Sequence, residues 1–153
     1  MTTLTELDIE TCTRLLAEHH VGRIAVNDPH GPVVLPVNYL WERGTILVRT
    51  DVGTKLAAAE EEVVVSFLID HVDEERRVGW SVLVRGLLDE VIDPDELDRL
   101  DEVLPMPFHQ GDGKRHVVRV SPRAITGRVI PLSTEVASGW YRAAVLGSEA
   151  FQE

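Results

Sequence analysis

The stretch Val33-Val34-Leu35-Pro36-Val37-Asn38-Tyr39-Leu40-Trp41 decides the fold. It alternates like a strand, so Val33, Leu35, Val37, Tyr39 and Trp41 point one way, and Val34, Pro36, Asn38 and Leu40 the other. Pro36 cannot donate a ladder hydrogen bond, which predicts a sheet edge, a bulge, or a place where something other than a strand lies alongside. On the N-terminal side, Asn27-Asp28-Pro29-His30-Gly31-Pro32 is a turn by composition, preceded by a strand Arg23-Ile24-Ala25-Val26. On the C-terminal side, Glu42-Arg43-Gly44 is a hairpin turn into Ile46-Leu47-Val48-Arg49. Three strands with short connections and no helical crossovers fit an antiparallel barrel better than a parallel α/β sheet.

The pattern extends outward. Residues 5–19 read as a helix, with Thr5 and Asp8 suiting a capping box and Ile9, Cys12, Leu15 and Leu16 forming its apolar face. A short alanine-rich helix is expected over residues 55–60. Val63-Val64-Val65-Ser66-Phe67-Leu68-Ile69 is apolar on both faces, which predicts a central, covered strand. A polar loop is expected over residues 70–76 and a long strand over 80–91, where Gly86 marks a bend or bulge. Asp93-Pro94-Asp95-Glu96 starts a helix whose apolar face is Leu97, Leu100, Val103 and Leu104, and Pro105-Met106-Pro107-Phe108 stops it. Strands follow at 116–120 and 124–130, broken at Ser121-Pro122, and patterning fades from about Ser133. The expectation is one mainly β domain: an antiparallel β-barrel of six or more strands with about three peripheral helices, its core at 5–131 and a C-terminal tail at 132–153.

The balance of 26 acidic against 15 basic side chains gives a net charge of -11, which argues against nucleic acid and anionic membrane as partners. The acidic runs, including the stretch 89–102, read as solvated faces. Cys12 is the single cysteine, so no intramolecular disulfide forms, and it reads as a small buried hydrophobe. With no apolar leader and no run long enough to span a bilayer, a soluble cytoplasmic protein is expected.

Against that acidity, Arg49-Thr50-Asp51-Val52-Gly53-Thr54-Lys55 concentrates two cations, two threonine hydroxyls and an expected helix start. Unpaired N–H groups at a helix start, hydroxyl donors and full positive charges are what a phosphate monoester needs. Taken alone, the segment is equally an ordinary strand-to-helix turn, and it lacks P-loop spacing. Leu35-Pro36-Val37-Asn38-Tyr39 offers a surface for a flat heterocycle, or simply a barrel edge. Trp80 and Ser81 begin a strand at the barrel rim, where Trp80 is either a ligand contact or a packed core aromatic. The six histidines lack zinc-site spacing, and no nucleophile motif is present, so no metal site is expected. A chain without catalytic side chains of its own fits one whose cofactor carries the chemistry.

Together, His20-Val21-Gly22-Arg23-Ile24-Ala25, Pro32-Val33-Val34-Leu35-Pro36-Val37-Asn38-Tyr39, Arg49-Thr50 with Gly53-Thr54-Lys55-Leu56, Gly79-Trp80-Ser81-Val82-Leu83-Val84-Arg85-Gly86 and Ile125-Thr126-Gly127-Arg128 resemble the pyridoxamine 5'-phosphate oxidase-like family, in its actinobacterial branch near nitroimidazole-reductase-like proteins. The resemblance covers about residues 5–131. It implies a split β-barrel homodimer with FMN at the subunit interface. It assigns the phosphate to Arg49, Thr50, Thr54 and Lys55, and the ring to Leu35, Pro36, Val37 and Asn38. It implies a further contact from Trp80 and Ser81 across the dimer, and a ring-edge aromatic at Phe108. The C-terminal Arg and His arrangement that grips pyridoxal phosphate is not found, which argues against vitamin B6 oxidation. The expected activity is FMN-dependent oxidation or reduction of a small molecule. The alternatives are a deazaflavin-dependent reductase, or a non-catalytic flavin- or haem-binding protein with His109 and His116 as haem candidates.

Overall fold

A computed structural model describes residues 5–50, 61, 63–104 and 116–131. The expected short helix at 55–60 and the tail at 132–153 lie outside the described residues. Among the described residues, eight strands form one sheet: β1 (Glu6–Leu7), β2 (Val21–Asp28), β3 (Gly31–Asn38), β4 (Leu40–Glu42), β5 (Thr45–Thr50), β6 (Val64–Asp73), β7 (Val78–Glu90) and β8 (His116–Pro131). Two described helices flank it, α1 (Ile9–Glu18) and α2 (Pro94–Val103). The strand order is β3-β2-β6-β7-β8-β5-β4, with β1 on β8, and every pairing is antiparallel. The chain is therefore mainly β, a curled half-barrel as expected.

The first and last strands of that order, β3 and β4, are separated in sequence by Tyr39 alone. Tyr39 is fully buried; its N–H donates to the His20 carbonyl (2.8 Å) and its hydroxyl to the Leu16 carbonyl (2.7 Å). Its ring meets Phe67 edge-on, centroids 4.9 Å apart. The single strand expected over 33–41 is thus broken at Tyr39, yet its alternation survives: Val33, Leu35, Val37, Tyr39 and Trp41 all belong to the main core. Pro36 lies on an edge strand, where its missing N–H disrupts no ladder.

Local chemistry sets the element ends. The helix expected from residue 5 begins at Ile9, because Glu6 and Leu7 pair with Arg128 and Gly127 and the Thr5 carbonyl accepts from the Val129 N–H. Asp8 is the cap, its carboxylate accepting from the Thr11 N–H at 2.8 Å. Cys12, Leu15 and Leu16 are buried as expected, but Ile9, in the first turn, is exposed. Asp93 caps α2 with Pro94 at its first position. Leu100 and Leu104 are buried, whereas Val103, expected beside them, faces solvent. The turn from β4 to β5 uses Arg43 (φ 52°) and Gly44 (φ 75°), the left-handed pair that suits a two-residue hairpin.

The polar loop expected from residue 70 is instead strand as far as Asp73, where Val72 pairs with Gly79; the turn comes at 74–77. Residues 116–131 form one strand, not two: opposite Arg85 and Gly86 stand Ala124 and Pro122, so Arg123 is an extra residue that absorbs the break as a bulge.

Two cores result. The main one fills the half-barrel and includes Leu16, Ile24, Phe67, Ile69, Val82 and Val118. A smaller one, of Leu47, Val91, Leu100, Leu104 and Val117, lies under α2. β5 is thereby covered on both faces. β6 is central but, contrary to expectation, covered on one face only: Val65, Phe67 and Ile69 are buried, Leu68 is half-buried and Val64 is exposed. Part of the acidic stretch 89–102 is also not a free solvated face. Arg119 bonds Asp89 (3.2 Å) and Glu96 (3.3 Å), and Arg99 joins Glu96 (3.8 Å) to Glu42.

Candidate functional site

The pleat sorts the expected site residues onto different surfaces. On β3, Leu35 and Val37 turn into the main core, while Pro36 and Asn38 take the opposite face. On β7, Trp80 is buried in the main core and meets His19 edge-on at 5.0 Å, so it packs as a core aromatic. Ser81 takes the outer face. Thr54, Lys55 and Phe108 lie outside the described residues.

Arg49 and Thr50 part company. Thr50 continues the row of Ile46 and Val48 and is buried. Arg49 shares a face with Leu47, under α2. There its Nη1 donates to the Asp101 carboxylate (2.8 Å), and its Nη2 to the carbonyls of Asp101 (2.7 Å) and Leu100 (3.5 Å). The guanidinium thus satisfies carbonyls in the last turn of α2, where positive charge is favoured. Its Nε is buried without a partner among the described residues. Arg49 ties a helix to the sheet, and the same contacts commit the charge the sequence reading gave to a phosphate.

What the fold brings together is the outer face of the strands β3, β2, β6, β7 and β8. In register, Pro36, Arg23, Leu68, Leu83 and Thr126 form one row across it. Val34, Ala25, Ser66, Arg85 and Ala124 form the next. Asp70, Ser81 and Arg128 form a third, and Arg23 reaches Asp70 at 2.6 Å. Three expected residues, Pro36, Asn38 and Ser81, therefore share a face that the described chain leaves uncovered. Arg128 joins them, exposed and directly opposite Ser81. The sequence reading gave Arg128 no role. The signal available was alternation, since Thr126 and Arg128 flank Gly127 on the face opposite Val129.

Other reactive groups are quiet. Burial pushes the Cys12 thiol above its ordinary pKa, which disfavours the thiolate. Burial likewise raises the Tyr39 phenol. Among the described residues there is no His, Cys, Asp or Glu grouping suited to a metal ion, and no helix long and apolar enough to cross a membrane.

Known proteins are similar to this chain in sequence and fold. A family model for pyridoxamine 5'-phosphate oxidase matches residues 8–129. An uncharacterized protein of Mycobacterium tuberculosis is 35% identical over 127 residues, covering 80% of this chain and 82% of its own. The crystal structure of a candidate pyridoxamine 5'-phosphate oxidase from Corynebacterium glutamicum superposes with a TM-score of 0.70 at 26% identity, covering 87% of this chain and 98% of that one. An FAD-binding protein from Mycobacterium smegmatis superposes with a TM-score of 0.66 at 33% identity, covering 83% and 98%.

Proposed function

The chain belongs to the pyridoxamine 5'-phosphate oxidase family, and from that premise we propose that it binds a flavin, FMN, and uses it to oxidise or reduce a small molecule. The observation that carries the reading is the uncovered sheet face shared by Pro36 and Asn38 on β3, Ser81 on β7 and Arg128 on β8. Its chemistry suits a phosphorylated heterocycle. Arg128 offers a guanidinium, Ser81 a hydroxyl, and Pro36 an edge strand beside which a ring can lie. The FAD-binding relative from Mycobacterium smegmatis supports a flavin in general. The choice of FMN rests on the single phosphate that Thr50, Thr54 and Lys55 suit in the sequence.

The same face carries half-buried Leu68 and Leu83 and exposed Val34 and Val64. We assign its cover to a second copy of the chain, which makes a homodimer and brings Ser81 and Arg128 against the flavin held by the partner's phosphate segment. When bound, the flavin supplies the redox chemistry. The chain's residues position it, neutralise its phosphate and exclude water from the ring.

Equilibrium titration with FMN, FAD, a deazaflavin and haemin tests this reading. FMN binding is expected, with affinity falling about tenfold or more in Lys55→Ala and in Arg128→Leu, as for a lost charge-assisted hydrogen bond. Arg49→Met is expected to lower stability more than affinity, since Arg49 is committed to α2. Oxidation of a reduced nicotinamide by the FMN complex separates an enzyme from a binding protein. A Soret band with haemin and no flavin binding would overturn the proposal in favour of haem.

A further inference from the structure

Thr50 ends β5 directly opposite His116, the first residue of β8. Both continue the rows that carry Ile46, Val48, Val118 and Val120 into the main core. Directly opposed residues of an antiparallel pair hold their Cβ atoms about 4.5–5.5 Å apart. From the other neighbour of β8, Glu90 at the end of β7 reaches the same imidazole, with Oε1 2.8 Å from Nδ1. Thr50 is buried, and the side chains of His116 and Glu90 are 38% and 24% exposed, so the three sit at an end of the half-barrel that solvent reaches.

Among the described residues, the other charges nearby face away. Arg49 turns under α2 to Asp101, and Arg119 turns to Asp89 and Glu96. Among the described residues of β5, β7, β8 and α2, Glu90 is the titratable group that faces His116. A carboxylate on Nδ1 orients the ring and leaves Nε2 directed away from it.

We propose that His116 is an anion-binding residue for the flavin phosphate, positioned by Glu90 and effective in its protonated form. This rests on the flavin reading above, which puts the phosphate beside Thr50. With neutral His116 the pair with Glu90 carries one negative charge; with protonated His116 it carries none and presents an Nε2–H donor. Histidine is the side chain whose charge ordinarily changes near neutrality, so FMN binds more tightly on the acid side and is released as pH rises.

The test measures FMN affinity by fluorescence quenching at about pH 5.5 and about pH 8.5, for the wild type, His116→Gln and Glu90→Gln, with riboflavin as a probe lacking the phosphate. In the wild type, FMN affinity is expected to fall about tenfold across this range. His116→Gln should remove most of that fall, and riboflavin should show little of it in either protein. The FMN phosphate ionises identically with both proteins, so the difference between their profiles is what counts. In the alkaline condition, Glu90→Gln should bind FMN more tightly than the wild type, a readout that stands even if His116→Gln does not fold. Parallel FMN profiles for wild type and His116→Gln, an equal fall with riboflavin, or weaker alkaline binding by Glu90→Gln overturns the assignment of His116. Absence of FMN binding by the wild type at both pH values overturns the flavin reading itself.

Discussion

The two faces of the strands β2, β6 and β7 are made of the same backbone but of different chemistry. The inner face is dry and apolar: Ile24, Phe67, Ile69, Val82 and Val84 are buried to within about one per cent. The outer face alternates apolar Leu68 and Leu83 with Arg23, Asp70, Ser81 and Arg85. The inner face defines the fold, since its residues have nowhere else to go. To the outer face fall the proposed docking and ligand recognition, since it mixes apolar with polar side chains. A half-barrel separates these tasks because one residue step along a strand changes sides.

The sharpest way to break this contrast is to truncate neighbours. Phe67→Ala should cost about 3–5 kcal/mol, as for other buried aromatics. Leu68→Ala, one residue on, should cost less than about 1 kcal/mol in the isolated chain. Chemical denaturation measures both. If a second copy covers the outer face, the wild-type unfolding midpoint should rise with protein concentration, and Leu68→Ala should lower it and make that rise no steeper. Equal costs at the two positions, independent of concentration, would erase the distinction.

Gly86→Ala is expected to rank next, at about 1–3 kcal/mol. A Cβ there would meet the Ser121 carbonyl and Pro122 backbone at the bulge, and backbone cannot step aside as a side-chain tip can. Tyr39→Phe keeps the ring contact with Phe67 but leaves the Leu16 carbonyl without its donor, for about 1–2 kcal/mol by thermal or chemical melting.

The smallest effect is at Asp8. Its hydrogen bonds with Thr11 hold its carboxyl below the usual carboxylate pKa, chiefly through the Thr11 side chain and then through the Thr11 N–H. A folded pKa below the unfolded one means stability present above about pH 4 and lost as pH falls through the folded value. Asp8→Ala should therefore flatten the acid limb of the stability profile slightly and leave the neutral limb parallel to wild type.

The faces also explain what could be read beforehand. Alternation in 33–41, the Asp93-Pro94 start, the 42–44 hairpin and the mark at Gly86 were legible because each is a local rule. Ile9 and Val103 were misplaced for the same reason as each other: both sit near a helix end, where angular position no longer guarantees a neighbour. The extension of β6 to Asp73 was hidden because its polar residues are supported by pairing with β7, which no local pattern announces. At the candidate site, Pro36, Asn38 and Ser81 share one face because they lie on strands of predictable phase. Arg49 and Thr50 were grouped by adjacency in sequence, yet adjacency in a strand is what sends two side chains to opposite sides. Arg128 and the His116–Glu90 pair depend on register between strands distant in sequence, which one chain read linearly does not disclose.

Tyr39 has a consequence for how the molecule is made. The β2–β3 and β4–β5 hairpins meet there with no slack between them, yet they finish at opposite ends of the strand order. Both are complete in sequence once Thr50 has left the ribosome, while β6, β7 and β8, which must enter between them, are still to come. The β2–β3 hairpin is joined first, by β6, while the β4–β5 hairpin waits with an unzipped edge until β8, more than a hundred positions from the N-terminus, arrives. The architecture defers closure to the last strand, and its folding rate should be governed by that late, long-range insertion, not by the early hairpins.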